Sequence, residues 1–242
     1  MRLPEAALLA GLLASSVVHA DPVDLKPFRA SYGAEWKGIS AASSTLELRR
    51  AGPDTYVYES INKPRGLFRM ALPDSLSQAS TFKLVDGEVV PVEFHGADEK
   101  ERPVDLRFDW SSKRVTGRAK GHAVDLALED GAQDPMSLQI ASLRKLAGGD
   151  LQDRVWLVDS DKLKEYELRR EGTAEIDTAL GRLETVIYVS KNVRSDRLTR
   201  TWVAPALGYL PVKAERVRGK KVEFTLRIES VEDQVFGSVT PR

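Results

Sequence analysis

The stretch VEFTLRIE at residues 222–229 alternates apolar and polar side chains without a break, and this pattern decides the fold. Successive side chains of a β-strand point to opposite faces, so every second residue from Val222 to Ile228 falls on one apolar face. The polar residues between them, from Glu223 to Glu229, fall on the other face. A strand with one buried and one solvent-facing side is typical of an antiparallel sheet.

The same alternation recurs through nearly the whole chain. It predicts further strands at 28–36, 43–49, 55–61, 76–84, 104–110, 124–128, 155–159, 163–170, 183–189, 198–203 and 209–216. Turn-forming residues separate these strands at 51–54, 86–87, Gly117, Gly172 and 218–220. So many strands with one apolar face must curl to cover that face. The sequence therefore predicts an all-β, predominantly antiparallel fold in which a curved sheet forms a barrel or half-barrel.

One segment has helical spacing instead. Asp134 is a good helix N-cap, Pro135 suits the first helical position, and the pair Gly148-Gly149 ends the run. The apolar residues between them recur at three- and four-residue intervals: Met136, Ile140, Leu143 and Ala147. An isolated helix of this length is marginal in water. We therefore expect one amphipathic helix packed on the concave side of the sheet.

Residues 1–20 have the three parts of a secretory signal peptide. Arg2 supplies the positive charge, residues 6–18 form a short apolar run, and residues 18–20 end it with the small side chains that a signal peptidase reads. Cleavage after Ala20 leaves residues 21–242, which we expect to be a single β-rich domain in the periplasm. The apolar run is shorter than the roughly 20 residues that span a bilayer, so we expect no transmembrane segment.

Charge and composition exclude several kinds of partner. Lys and Arg total 36 and Asp and Glu total 36, so the chain has no basic surplus for nucleic acid or an anionic lipid surface. The chain has no cysteine, which excludes thiol catalysis and thiolate metal sites. His95 and His122 lack a second histidine or carboxylate at metal-ligand spacing. We expect no cofactor and no bound metal, and a monomeric chain.

Three carboxylates offer the one local hint of acid–base chemistry. Asp105, Asp109 and Asp125 would suit the hydrolysis of a glycan if two of them faced one cleft. They alternate with large apolar residues, which places them on the polar face of their strands. We therefore expect these carboxylates to be solvated and the protein not to be an enzyme.

The segment PRGLFRMALP at residues 64–73 allows two interpretations. The first is an ordinary strand paired into the sheet. The second is a mobile apolar lip at the mouth of a cavity, where an arginine contacts the anionic head group of an otherwise apolar ligand. Under the second interpretation the ligand-binding candidates come from this segment and from the helix: Arg65, Leu67, Phe68, Arg69, Met70, Met136 and Ile140.

Several motifs in order along the chain resemble one family of bacterial exported proteins, the domain of unknown function 3108 family. The motifs are PFRASY at 27–32, FDW at 108–110, DPMS at 134–137, GRLETV at 181–186 and WVAPALGYLPV at 202–212. The last is the most specific, and Met136 stands where an aliphatic residue such as leucine is expected. The resemblance covers about residues 27–230 and implies a periplasmic, β-rich protein. It brings no established reaction and no catalytic residues.

Two functions fit these observations, and a third is weaker. A half-barrel that its helix fills incompletely would carry a lipid-like or other amphiphilic component of the cell envelope. A half-barrel with a dry core could instead be an interaction or scaffolding module that recruits an envelope protein by adding a strand at its edge. A glycan hydrolase ranks last, because no spacing of carboxylates supports it.

Overall fold

A computed structural model of the chain describes residues 25–66, 68–71, 76–97, 102–149, 151 and 153–232. The predicted signal peptide at residues 1–20 lies outside these ranges. In the described part of the chain, the strands are β1 (Phe28–Trp36), β2 (Ile39–Arg50), β3 (Thr55–Pro64), β4 (Leu76–Val85), β5 (Glu88–Ala97), β6 (Pro103–Asp109), β7 (Arg114–Ala119), β8 (His122–Ala127), β9 (Arg154–Asp159), β10 (Lys162–Thr178), β11 (Gly181–Asn192), β12 (Arg197–Ala204), β13 (Leu210–Arg218) and β14 (Lys221–Glu232). The helices are α1 (Phe68–Ala71), α2 (Ser137–Ala147) and a 3-10 turn at Pro205–Leu207.

All 14 strands belong to one sheet, in the order β8-β7-β6-β5-β4-β3-β2-β1-β14-β13-β12-β11-β10-β9. The chain starts at the centre, meanders outward to β8, crosses through α2 to the opposite edge at β9, and meanders back to β14 beside β1. Every ladder between neighbouring strands is antiparallel, and the sheet is curved but not closed. The predicted all-β fold is therefore confirmed, as a half-barrel.

The stretch at 222–229 forms most of β14 and pairs with β1 at the centre of the sheet. Ile228 lies opposite Tyr32, and both side chains are almost fully buried on the concave face. The Tyr32 hydroxyl donates a hydrogen bond to the carbonyl of Pro211 at 2.9 Å, which satisfies its polar end inside the core. The burial weakens toward the start of the strand, because Val222 beside the β13–β14 turn is 42% exposed.

The helix α2 lies against the concave face, as predicted. Met136 and Ile140 join the main core. Further along, the helix packs against the second half of the sheet through Leu143 and Leu146, which contact Val186, Tyr188 and Val203. Each large apolar side chain buried in this way contributes roughly 1.5–3 kcal/mol before the entropy cost of ordering it. The two sheet edges approach each other at their turns, where Lys120 Nζ, between β7 and β8, lies 2.5 Å from Asp161 Oδ1, between β9 and β10.

Two glycines predicted as turns lie inside strands, so those predictions are wrong. Gly117 is in β7 at φ +149°, and a Cβ there would lie 2.0 Å from the carbonyl oxygen of Asp105 on β6. Gly172 is in β10 next to a shift of register against β11. Glycine inside a strand commonly marks a bulge or a close backbone approach, and the sequence alone does not separate these from a turn.

Two strands were not predicted, and one segment is not a strand. β5 was missed because Pro91 interrupts its alternation, and the β4–β5 ladder shifts register where Phe82 meets this proline. The sequence does not predict β7, because Gly117 in its middle has the character of a turn residue. In segment 64–73, residues 68–71 form α1 rather than a strand, since the amide of Phe68 turns back to the carbonyl of Arg65 at 3.2 Å.

Candidate functional site

A half-open cavity of about 460 Å³ lies between α2, the start of β5 and the strands β9 and β10. Its volume is within the range of about 300–1,000 Å³ that small-molecule sites occupy. The apolar part of its wall consists of Val89, Val90, Trp110, Leu138, Ala141, Val155 and Leu168. The cavity therefore has an apolar wall and, at Glu88, Asp130, Gln133, Ser142 and Lys145, a polar one.

One face of α2 leaves this space open because two of its side chains, Ala141 and Ser142, are small. Leu138, Ala141, Ser142 and Lys145 follow the i, i+3, i+4, i+7 spacing of a single helix face, and all four line the cavity. Leu138 also packs against the floor formed by Val155 and neighbouring residues of β9 and β10. Ile140, Leu143 and Leu146 of α2 lie in the packed core instead, so the helix fills the concave face on one side only.

Gln133, just before the helix, connects β5 in one half of the sheet with the edge strand β9 of the other half, at the cavity. Its backbone amide donates to the carbonyl of Trp156 at 2.8 Å, and its carbonyl accepts from the amide of Val158 at 2.8 Å, both on β9. Its side-chain Nε2 donates to the carbonyls of Val89 at 2.9 Å and Gly131 at 3.2 Å. The side chain is therefore held in one orientation between β5 and β9.

The other end of the same amide has no hydrogen-bond partner. Gln133 is 4% exposed, and its Oε1 is a buried acceptor that no described residue satisfies. The amide cannot simply be turned over, because Oε1 would then face the carbonyl oxygens of Val89 and Gly131. A buried acceptor without a donor costs about 1–3 kcal/mol, so this atom is an uncommon feature of the packing next to the cavity.

Asp134 fixes the start of the helix beneath the cavity. Its Oδ1 accepts from the amides of Met136 at 2.8 Å and Ser137 at 2.9 Å, which is the capping role predicted from the sequence. Its Oδ2 accepts from the hydroxyl of Ser80 on β4 at 2.6 Å. The carboxyl is fully buried, and this burial raises its pKa above the ordinary value despite the hydrogen bonds that lower it.

The rim of the cavity is charged, and its charges are paired. Lys145 near the end of α2 forms an ion pair with Glu88 at the start of β5, and the side-chain Nε of Arg144 donates to the carbonyl of Gly87 at 3.2 Å. Asp130 on the opposite side of the rim lies 2.9 Å from Lys113. The mouth therefore offers polar contacts without a net surplus of positive charge.

The predicted lip segment lies at a second cavity rather than at this one. Arg65 lines a space of about 480 Å³ beside β1 and β14, and its Nη1 atom lies 3.6 Å from Glu229 Oε1. Phe68 is half-buried and Arg69 is exposed. Leu67 lies outside the described residues, and the structure does not describe the side chain of Met70. A ligand-binding role for this segment stays a prediction.

The two predicted helix residues occupy the core. Met136 is 2% exposed and Ile140 is 1% exposed, and neither lines either cavity. Among the described candidates, Arg65 therefore lies at the second cavity, apart from Met136 and Ile140 in the core. The structure places small and polar residues of α2 at the cavity, together with Gln133, which the sequence analysis missed. An amphipathic pattern shows which face of a helix is apolar. Here Met136 and Ile140 of that face are fully buried in the core.

The carboxylates considered for hydrolysis lie on the outer, exposed surface. Asp105 lies 2.9 Å from His95, and Asp125 lies 2.5 Å from Arg114. Hydrogen bonds from Ser111 and Ser112 lower the pKa of Asp109 to about 2, which is opposite to what a general acid requires. In the described ranges, no group of three His, Cys, Asp or Glu residues could hold a metal ion.

A curved, unclosed antiparallel sheet around one helix, with a cavity between the helix and the sheet edges, defines the class of fold. The chain belongs to the family described as protein of unknown function (DUF3108), whose model matches residues 28–225. The resemblance found in the sequence is thereby confirmed. No curated protein matches the chain. None of the helices in the described residues is long and apolar enough to cross a membrane.

Several solved structures are distantly similar. An exported protein with a YmcC-like fold from Bacteroides fragilis has 10% identity and a TM-score of 0.42, over 87% of this chain and 97% of that one. MucB has 11% identity and a TM-score of 0.35, over 91% of this chain and 60% of that one. An outer membrane lipoprotein-sorting protein domain from Vibrio parahaemolyticus has 12% identity and a TM-score of 0.28, over 88% and 87%. Likenesses this distant carry no argument about function.

Proposed function

We propose that this protein is a non-enzymatic carrier or binding protein of the cell envelope, and that it holds an amphiphilic ligand in the cavity beside α2. The observation that carries the proposal is the combination of an apolar wall, formed by residues such as Val90, Leu138 and Leu168, with a polar rim at Lys145 and Glu88. An amphiphile has the same two parts, so its chain and its head would each meet a matching surface.

The energetics favour a ligand with an apolar chain. Each methylene group that leaves water for the cavity contributes about 0.8 kcal/mol, so a chain of several methylenes gains appreciable affinity. A rigid wall limits the entropy lost on binding. The wall formed by α2 is held at both ends, because Asp134 anchors the start of the helix and Arg144 anchors its end.

The compartment in this proposal rests on the sequence. Residues 1–20 read as a signal peptide for export, and the absence of cysteine removes thioether lipidation as an anchor. We therefore place the carrier in the periplasm. The alternative, an interaction module, finds support at β8, whose outer side has no strand partner among the described residues. β8 is only six residues long and carries Asp125, features that discourage edge pairing.

The test compares what the protein retains when it is purified from the bacterial envelope. Extraction of wild-type protein into organic solvent, followed by mass spectrometry, should yield an amphiphile in near-stoichiometric amount. Ala141→Leu, which projects a larger side chain into the cavity, should lose it, whereas Ala147→Leu on the same helix outside the cavity should keep it. Both variants preserve helix propensity. Equal extracts from wild type and Ala141→Leu, or an empty extract from folded wild type, would contradict the proposal.

A further inference from the structure

We infer that one end of the sheet docks onto the surface of a bilayer that contains anionic phospholipids. This end, the basic tip, consists of residues 36–39 at the β1–β2 turn and residues 218–222 at the β13–β14 turn. The basic tip shares no residue with the cavity beside α2, and its role does not depend on the proposed function.

Backbone pairing holds the two turns side by side. Trp36 lies opposite Phe224 in the β1–β14 ladder and opposite Ile39 in the β1–β2 ladder. The amide of Lys37 donates to the carbonyl of Glu223 at 3.0 Å, which extends the pairing of β1 with β14 into the β1–β2 turn. The two turns therefore form one continuous surface.

The basic tip exposes large apolar side chains as a group. Of the four that are exposed in the described residues, three lie here: Ile39 at 61%, Val222 at 42% and Trp36 at 39%. Residues opposite one another in adjacent strands share a face, as do residues two apart, so these three extend the apolar concave face beyond the packed core. Single apolar side chains are ordinary on a surface, but a contiguous group marks an interaction site.

The same tip carries cations that have no ion-pair partner. Residues 36–39 and 218–222 include four basic residues and no acidic one. Lys37, Lys220 and Lys221 form no ion pair within the described part of the chain. The Lys37 ammonium instead lies 5.8 Å from the centroid of the Trp36 ring. A lysine beside an exposed tryptophan suits the boundary between phosphate head groups and acyl chains.

The carboxylates that flank these two stretches lie on the other face. Glu35 and Glu223 alternate with Trp36 and Val222, which places them on the opposite side of the sheet. Glu223 also forms an ion pair with Arg218 at 3.4 Å. The balance of 36 basic and 36 acidic residues argues against a lipid partner for the chain as a whole, but it conceals a positive surface at this tip.

An anionic bilayer fits the basic tip better than a second copy of the chain does. A symmetric contact between two copies would bring the same unpaired lysines against each other. A bilayer instead offers phosphates to the lysines and an apolar layer to Trp36 and Ile39. The segment after β3 starts at the same end of the sheet, since the amide of Arg65 donates to the carbonyl of Ala41 at 2.8 Å, and this segment adds the exposed cation Arg69.

Sedimentation with vesicles tests the docking. The protein without its signal peptide is mixed with sucrose-loaded vesicles of phosphatidylcholine, with or without phosphatidylglycerol, at about 0.1 M salt, where the Debye length is about 10 Å. We expect wild type to sediment with the phosphatidylglycerol vesicles and to stay in the supernatant with phosphatidylcholine alone. Each lysine near an anionic surface strengthens binding about fivefold, so the double variant Lys220→Gln and Lys221→Gln should lower the partition coefficient about 25-fold.

Matched controls lie at the opposite end of the sheet, about 25 Å away along β1. The double variant Lys26→Gln and Lys83→Gln removes the same charge from two exposed lysines there and should change the partition coefficient less than about twofold. Ile39→Ser should lower it at least about fivefold, whereas Val85→Ser, which also removes an exposed β-branched side chain, should leave it unchanged. Thermal melts show whether each variant folds, and the lysine variants decide the test if Ile39→Ser does not.

Two kinds of result would overturn the inference. One is equal sedimentation of wild type with both types of vesicle, or equal partition coefficients for the two lysine double variants, because neither requires the basic tip. The other is a wild-type dimer in analytical ultracentrifugation that Ile39→Ser dissociates, which would assign the tip to self-association.

Discussion

Replacement of Asp134 by alanine tests whether the start of α2 is pinned to the sheet as the structure indicates. The substitution removes the hydrogen bonds that Oδ1 accepts from the amides of Met136 and Ser137 and the one that Oδ2 accepts from Ser80. Loss of an N-cap costs about 0.5–2 kcal/mol. A buried Ser80 hydroxyl left without its partner costs about 1–3 kcal/mol more. We therefore expect Asp134→Ala to lower the free energy of unfolding by about 1.5–5 kcal/mol.

Urea denaturation monitored by tryptophan fluorescence provides the measurement. With an m-value of about 2–3 kcal/mol/M, a loss of this size moves the midpoint down by about 1 M. Asp134→Asn is the matched control, because an asparagine Oδ1 can still accept from the amides of Met136 and Ser137. If Asp134→Ala changes the free energy of unfolding by less than about 0.5 kcal/mol, as an ordinary surface substitution does, the anchoring account is wrong.

The remaining predictions concern the same carboxyl and one strand glycine. Burial raises the pKa of Asp134, so its protonated form is favoured in the folded state. The stability of wild type relative to Asp134→Asn should therefore be greatest below the unfolded pKa of about 3.9 and decrease as pH rises through the raised pKa. Urea midpoints from about pH 4 to about pH 8 check this, and a relative stability that increases with pH refutes it. Gly117→Ala should cost at least about 2 kcal/mol, since the new Cβ would collide with the Asp105 carbonyl at a positive φ. A melting temperature equal to that of wild type would contradict this prediction, because it would mean that β6 moves away from the new Cβ at little cost in free energy.

The parts of the fold that could be predicted from the sequence are those with strict alternation. The strand at 28–36 is predicted with the bounds that the structure gives it, and the capping contact of Asp134 with the amides that lead into α2 follows from its side-chain chemistry. The strands that were missed contain a residue that breaks the pattern for a tertiary reason. Pro91 lies at a register shift in β5, and Gly117 accommodates the backbone of β6.

The candidate site was harder to predict, because its central residue is defined by contacts across the fold. Gln133 bonds to Val89, 44 residues earlier, and to Trp156 and Val158 on the opposite sheet edge. Nothing in the local sequence of Gln133 signals an unpaired acceptor. The sequence gives only a weak indication of the cavity, and it lies in α2. There, Ala141 and Ser142 place two small residues side by side on a helix that must cover a large concave face.

A crystal structure of the protein with decanamide tests the central claim most directly. The account predicts that the acyl chain lies between α2, β5 and β9, with the amide head at the polar rim beside Lys145 and Glu88. The Phe68→Asp variant should bind decanamide in the same place, because Phe68 does not line this cavity. Electron density for the ligand beside Arg65 at the second cavity, or a collapsed and empty space beside α2 at saturating ligand, would contradict the account.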